Sequence, residues 1–401
     1  MIEDTPFPTP KTPISSNYAL KTDVLVIGAG AIGTSIAYHL AKRHIDVILV
    51  DKDDIASGTS GACDGFVFLQ SKKPGVHLEM ALESARMMER LSTELQRDIE
   101  YEKNGGMILI KSQEDMPEMR KLVERQRKFG LEVELLDARQ ARDMEPCLSP
   151  DIAGATYSPM DAQVNPMALC FAFAEAARNM GAKIVTHTEV TGISNKNGKI
   201  EGVMTSRGFI KADVVVNAAG AYAPVIGKMV GVDLPIRPRR GQILVTEPVP
   251  PLLKRVIICS KYITSKFSSH GSHDPLGVGL ALEQTRAGSL LIGSTREFVG
   301  YDRSVTPEGI RNILGHALSL VPIIGELNVI RSFAGLRPYT PDGMPILGKM
   351  DGIEGFIVAA GHEGDGIALS PITGFLIAEL IATRHLPLET YKKEGGELQN
   401  G

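Results

Sequence analysis

The chain has 401 residues, enough to bury a sizeable core and to divide into two domains. Hydrophobic residues make up 43% and charged residues 22%, ordinary proportions that exclude a disordered or fibrous chain. A formal net charge of −4 supplies no basic surplus for a nucleic acid, and the densest basic cluster, Arg237-Pro238-Arg239-Arg240, is short and lies within an α/β pattern.

Residues 1–20 hold four prolines and no signal-like apolar core, and read as a flexible lead-in. From Asp23 the pattern becomes sharp. Val24-Leu25-Val26-Ile27 runs into Gly28-Ala29-Gly30-Ala31-Ile32-Gly33, an amphipathic segment, and a second apolar run, Val47-Ile48-Leu49-Val50, ending in Asp51. Strand, glycine turn, helix, strand and terminal acid form the order a dinucleotide site requires. Gly28 permits the sharp turn, Gly30 lets a pyrophosphate approach bare backbone at a helix N-terminus, and Gly33 lets helix and sheet pack closely. Asp51 is placed to accept ribose hydroxyls. A turn serving only helix–sheet packing is the plainer alternative.

The loop Ser57-Gly58-Thr59-Ser60-Gly61 is small and hydroxyl-rich, suited to donating hydrogen bonds to phosphates or to acting as a simple connection. A helix is expected over 76–95. Next come a strand over 107–110, a helix over 114–129, a strand over 133–136, and a short helix capped by Asp137. Asn165, Pro166 and Gly181 bracket a helix to residue 180. A meander follows through 184–187, 189–194, an Asn197-Gly198 turn and 200–205. The strand 213–216 ends in Asn217-Ala218-Ala219-Gly220, small residues that suit a ligand passing close by or a plain strand-to-helix turn. Strands are expected at 241–246 and 289–292 and a helix at 307–320. A buried strand then ends at Gly361, leading through Gly364-Asp365-Gly366 to a helix over 370–383 with Pro371 in its first turn. The cysteines Cys63, Cys147, Cys170 and Cys259 are scattered, which fits a reducing compartment and argues against a zinc site. No apolar run of membrane-spanning length stands out, so the expectation is a cytoplasmic protein without a transmembrane segment and without a metal.

Five stretches in order, Gly28–Gly33 with Asp51, Ser57–Gly61, Asn217–Gly220, Ala334–Gly343 and Gly361–Gly366, resemble the D-amino-acid oxidase / glycine oxidase family of FAD-dependent amine oxidoreductases. The resemblance implies an α/β fold: a discontinuous Rossmann-like FAD-binding domain from 21–100, 155–235 and 331–401. An inserted α+β substrate domain from 101–154 and 236–330 would contain a largely antiparallel sheet. It implies FAD contacts at Gly28, Gly30, Ala31, Ile32, Gly33, Asp51, Lys52, Ser57, Gly58, Thr59, Ser60 and Gly61. Further contacts are implied at Val190, Ala218, Gly220, Gly335, Gly361, Glu363, Gly364, Asp365, Gly366 and Ile367. Phe333-Ala334-Gly335-Leu336-Arg337-Pro338-Tyr339-Thr340-Pro341-Asp342-Gly343 matches the family's substrate motif, whose arginine binds a carboxylate. A planar guanidinium suits that role; pairing of Arg337 with Asp342 is the structural alternative. Tyr262 aligns with a tyrosine that touches the same carboxylate in glycine oxidases, and Arg296 falls at a pocket position. The chain departs from the glycine-oxidase pattern at His362-Glu363-Gly364-Asp365-Gly366, which looks more like the FAD subunits of proline, hydroxyproline, sarcosine or opine dehydrogenases.

The implied reaction is oxidation of a small amino or imino acid by hydride transfer to FAD, giving an imine. Two other readings stay open on the residues alone: a nicotinamide-dependent dehydrogenase, and an electron-transfer subunit whose partner oxidises the substrate. A homo-oligomer and a hetero-oligomer with electron-transfer subunits are both compatible with the resemblance.

Overall fold

The structure is a computed structural model that describes residues 20–261, 263 and 276–383. The expected lead-in therefore lies largely outside the described residues, as does Tyr262.

The first of two eight-stranded sheets is centred on the strand Leu20–Ile27, flanked in parallel by Val47–Val50 and Gly208–Asn217. Phe356–Ala360 continues the parallel array beyond Gly208–Asn217. These strands are apolar on both faces because both faces are covered. Val24, Val26, Val47 and Leu49 pack with the helices Ala31–Ala41, Val76–Glu94, Pro166–Asn179 and Gly366–Thr383. Leu25, Ile27, Ile48 and Val50 face a second cluster built from the antiparallel strands Val190–Lys196 and Lys199–Thr205 and the segment 223–236. Ile27, Val50 and Asn217 are register partners, so the carboxyl ends of the central strands open at one level.

The second sheet runs Val329–Tyr339, Arg237–Thr246, Leu290–Gly293, Ala281–Gln284, Val256–Cys259, Gly106–Ile110, Gly154–Ser158, Glu134–Asp137. It is antiparallel except where Gly106–Ile110 meets Val256–Cys259. Helices Met116–Arg127 and Pro307–Leu320 bury Leu122, Met119, Ile313 and Ala317 against it. Two edges of the expected division, at 155 and 331, fall inside strands of this sheet, Gly154–Ser158 and Val329–Tyr339.

Local signals behave as their chemistry dictates. Asn165 caps its helix by accepting from the backbone N–H groups of Met167 and Ala168, each at 3.1 Å. Asp137 forms a reciprocal capping box with Gln140. Asn197 and Gly198, at φ 52° and 76°, turn the hairpin.

Three expectations are corrected. The residues expected to open the meander instead form Lys183–Val185, a parallel edge strand beside Val47–Val50. Its alternation is too short to reveal its partner. The C-terminal helix begins at Gly366, not 370, and carries Pro371 inside it. Pro371 has no N–H for the Ile367 carbonyl, and the Ser370 hydroxyl donates to that carbonyl at 3.0 Å instead. With those extra residues the helix is long and apolar enough to cross a membrane by length and composition. It is apolar all round because it is wedged into the core, with Leu369, Leu376 and Ile377 fully buried.

Two contacts pin the cofactor-side layer. A Cβ on Gly33 would stand 1.8 Å from the Gly28 carbonyl oxygen, so only glycine permits the helix Ala31–Ala41 to sit where it does. Lys72, 1% exposed, donates to Asp365 Oδ1 at 2.7 Å, to the Phe68 carbonyl at 2.8 Å and to Ser71 Oγ at 3.0 Å. That ion pair ties the first connecting segment to the start of the C-terminal helix.

Gly33→Ala should cost about 1–3 kcal/mol or more through overpacking, read as a lowered midpoint in denaturant. Lys72→Met should cost about 3–5 kcal/mol, because it strands the Asp365 carboxylate in the interior. The double variant Lys72→Met/Asp365→Leu should recover much of that loss in the same assay.

Candidate active site

A cavity of about 460 Å³ opens at the carboxyl ends of the central strands and extends to the second sheet. Its first wall is the glycine turn. Gly28 has φ +110°, and a Cβ there would meet the Ala218 carbonyl oxygen at 2.5 Å, so the turn and the segment after Gly208–Asn217 close on each other only without side chains. The helix Ala31–Ala41 has no side-chain cap, and the Ala31 N–H donates to Ser60 Oγ at 3.0 Å. Asp51 accepts from the backbone N–H groups of Ala29 at 2.6 Å and Asp53 at 2.9 Å. Burial pushes its carboxyl upward, against the pull of those two N–H groups. Thr59 ties the hydroxyl-rich loop to the far wall, its hydroxyl donating to the Leu336 carbonyl at 2.6 Å.

Of the expected cofactor residues, Gly28, Gly30, Ala31, Ile32, Asp51, Lys52, Ser57, Gly58, Thr59, Ser60, Val190, Ala218, Gly220, Gly335, Glu363, Gly364, Gly366 and Ile367 line this cavity. Gly33, Gly61, Gly361 and Asp365 are not among its lining residues. Gly33 serves helix–strand contact, and Gly61 packs against the Ala56 carbonyl. Asp365 faces Lys72 and His77.

At the opposite end lies Arg337, 9% exposed and lining the cavity. Its guanidinium donates to the Thr295 carbonyl at 3.0 Å and to Ser294 Oγ at 2.8 Å. It lies flat over Gly241 on the neighbouring strand, where a Cβ would approach Nη1 to 2.2 Å. Thr295 is itself fixed: its hydroxyl donates to Glu297 at 2.6 Å and accepts from the Gln242 N–H at 3.1 Å, while Arg240 grips Glu297 at 2.6 Å. The alternative pairing of Arg337 with Asp342 does not form. Asp342 accepts from the Met344 N–H at 3.0 Å, and no ion pair among the described residues includes Arg337. Arg296 is buried beside this end but does not line the cavity.

The departing segment His362-Glu363-Gly364 also lines the cavity. Glu363, at φ 50°, is paired with buried Arg239 from the second sheet and accepts from the Gly364 N–H at 2.6 Å. His362 contacts Thr373 at 3.1 Å, and burial lowers it to about 3, so it is neutral at ordinary pH. Sequence reasoning missed Asp64 and Glu283. Asp64 lines the cavity near Arg337, and Glu283, behind it, accepts from the Gly65 N–H with both oxygens at 3.0 Å. The one available signal was an acid, Asp64, set inside an otherwise small and apolar run.

The cavity fits a long dinucleotide. A helix N-terminus without a side-chain cap from Gly30, an acid beyond the second strand and walls of small residues at Gly28, Ala218 and Gly220 occupy one end, and a guanidinium the other.

Residues 23–380 match the family of FAD dependent oxidoreductases named DAO. The chain is 34% identical to the glycine oxidase of Geobacillus kaustophilus, covering 90% of this chain and 92% of that one. It is 31% identical to the hydrogen cyanide synthase subunit HcnC of Pseudomonas protegens, covering 92% and 94%. The solved L-proline dehydrogenase from P. horikoshii superposes with a TM-score of 0.84 at 29% identity, covering 95% of this chain and all of that one. The nicotinamide alternative accordingly gives way to FAD, and the chain belongs to the DAO family of FAD-dependent oxidoreductases.

Proposed function

We infer that the protein oxidises a small amino or imino acid at the carbon bearing nitrogen. The observation that carries this reading is Arg337: a buried guanidinium at the cavity end, braced by Ser294 and Thr295 and without a protein carboxylate as ion-pair partner among the described residues. A fixed, permanently charged fork of this kind grips a carboxylate bidentately. The likeness to a glycine oxidase and an L-proline dehydrogenase supports the same substrate class.

FAD, when bound, supplies the two-electron acceptor. The backbone of Gly28–Ile32, Asp51 and the hydroxyl loop would hold its dinucleotide portion. Gly364 and Gly366, at the N-terminus of Gly366–Thr383, turn the positive end of a helix dipole toward the cavity, which favours negative charge there. Arg337 would fix the substrate by its carboxylate and so restrict which C–H bond faces the cofactor. Phe66, Ile243 and Leu336 line the cavity around it and exclude water. Tyr262 lies outside the described residues and Arg296 stands back from the cavity, so Arg337 bears the carboxylate role in this proposal.

The similarity to a protein named as a subunit supports a second proposal, that the chain works within a hetero-oligomer. Natively purified protein should then carry a second polypeptide of different mass in stoichiometric amount on a denaturing gel, and this chain alone would overturn it.

Arg337→Lys should lower kcat/KM for flavin reduction by about 10–100-fold, the loss of about 1.5–3 kcal/mol for one charge-assisted hydrogen bond. Anaerobic bleaching with glycine, sarcosine, L-proline and D-alanine reads it; unchanged rates with every reactive acid would overturn the clamp, and no bleaching by any of them would favour the electron-transfer subunit. Gly241→Ala should weaken the same kinetics while leaving FAD bound, because its Cβ displaces the guanidinium.

A further inference from the structure

We propose that Asp64 removes the proton from the substrate's ammonium group, so that the bound amine is presented in its neutral form. The proposal rests on reading Arg337 as the carboxylate clamp.

Asp64 borders the same end of the cavity as Arg337. Its surroundings come from several elements. Cys63 neighbours it in the loop, Arg337 faces it from Val329–Tyr339, and Arg296 from the segment after Leu290–Gly293. Glu283 approaches from Ala281–Gln284. Lys72 and Asp365 lie across a second cavity, of about 10 Å³, that Asp64 also lines. The Lys72 ammonium is committed to Phe68, Ser71 and Asp365.

Two carboxyl groups thus share one buried region. Burial raises both, and Asp64 raises Glu283 further by charge repulsion. The cations act unequally. Arg337, the backbone N–H groups of Phe66 and Asp64 itself, and Arg296 pull Asp64 down, whereas Glu283 has only the Gly65 N–H to oppose its burial. In the proposed resting state the pair's proton sits on Glu283, the carboxyl raised further, and its negative charge on Asp64, which faces the two guanidiniums. A carboxylate arriving on Arg337 weakens the largest of these attractions, and the proton affinity of Asp64 rises just as an ammonium group is brought alongside.

The step balances without a further reactant: an N–H bond of the ammonium breaks, an O–H bond forms on Asp64, and the nitrogen keeps the electron pair. No electrons leave the substrate in this step. A neutral amine can then release its hydrogen with the bonding pair; an ammonium cannot.

Acetate, which has the carboxylate and lacks the amine, isolates the coupling. Titration of the FAD-loaded protein with acetate at neutral pH, in buffers of different ionisation enthalpy, should show proton uptake approaching one per acetate bound. Asp64→Asn should bind acetate without uptake, and Glu283→Gln should retain it. In anaerobic flavin reduction by sarcosine or L-proline, Asp64→Asn should move the acid limb of the rate to the pKa of the free ammonium and slow reduction at neutral pH by about 100-fold.

Acetate binding to the unaltered protein with no proton uptake overturns the proposal, as does uptake lost in Glu283→Gln but kept in Asp64→Asn. If Asp64→Asn fails to hold FAD, the proton count of the unaltered protein and of Glu283→Gln still decides. Absence of acetate binding overturns the clamp itself and this step with it.

Discussion

The closeness of one helix to one strand governs this molecule. Gly33 lies on the Gly28 carbonyl, and on the helix's other side Gly374 of the C-terminal helix packs where a Cβ would meet Ser35 Oγ at 2.1 Å. The helix Ala31–Ala41 is thereby clamped between sheet and C-terminal helix with its N-terminus held at the strand ends. Its dipole then acts on a fixed point in space. The other cavity walls, at Asn217–Gly220 and Gly364–Gly366, are positioned by strands that share register with the one bearing the glycine turn.

At the far end the constraint is electrostatic. The long pair of strands Arg237–Thr246 and Val329–Tyr339 sets Arg239 opposite Arg337. Two adjacent guanidiniums repel unless each finds an anion. Arg239 takes Glu363 from the cofactor side, which leaves Arg337 directed at the cavity. Glu363 in the departing segment is intelligible in these terms: the segment brings its own counter-charge for a basic strand, joining the two sheets through a buried pair.

The sequence made the parallel core legible because strands buried on both faces are continuously apolar and the glycine spacing has a steric cause. Caps at Asn165, Asp137 and Thr306 were readable, or would have been, from side-chain chemistry alone. What stayed hidden was set by contacts distant in the chain. Lys183–Val185 looked like part of a hairpin because its partner lies more than a hundred residues earlier. The early start of the C-terminal helix depended on Ser370 standing in for a missing donor at Pro371. Asp64 and Glu283 are 219 positions apart, and no local pattern joins them; only the packing of Gly65 against Glu283 does. The Arg337 motif was legible as a motif, while the brace that aims it, Ser294, Thr295 and Gly241, was not.

Neither sheet is contiguous in the chain. The first takes strands from 20–50, 183–217 and 346–360, and the second from 106–158 and 237–339. Synthesis runs in one direction, so the parallel array lacks Phe356–Ala360, and the helix Ala31–Ala41 lacks its outer neighbour, until Gly366–Thr383 has emerged. Non-local pairings of this kind form slowly, since each must offset the closure of a long loop. A nascent chain must therefore keep the continuously apolar strands Val24–Ile27 and Val47–Val50 shielded while about three hundred further residues, to Phe356–Ala360, are made. The cofactor cradle begins at Leu20–Ile27 and closes only with Phe356–Ala360 and the helix behind it.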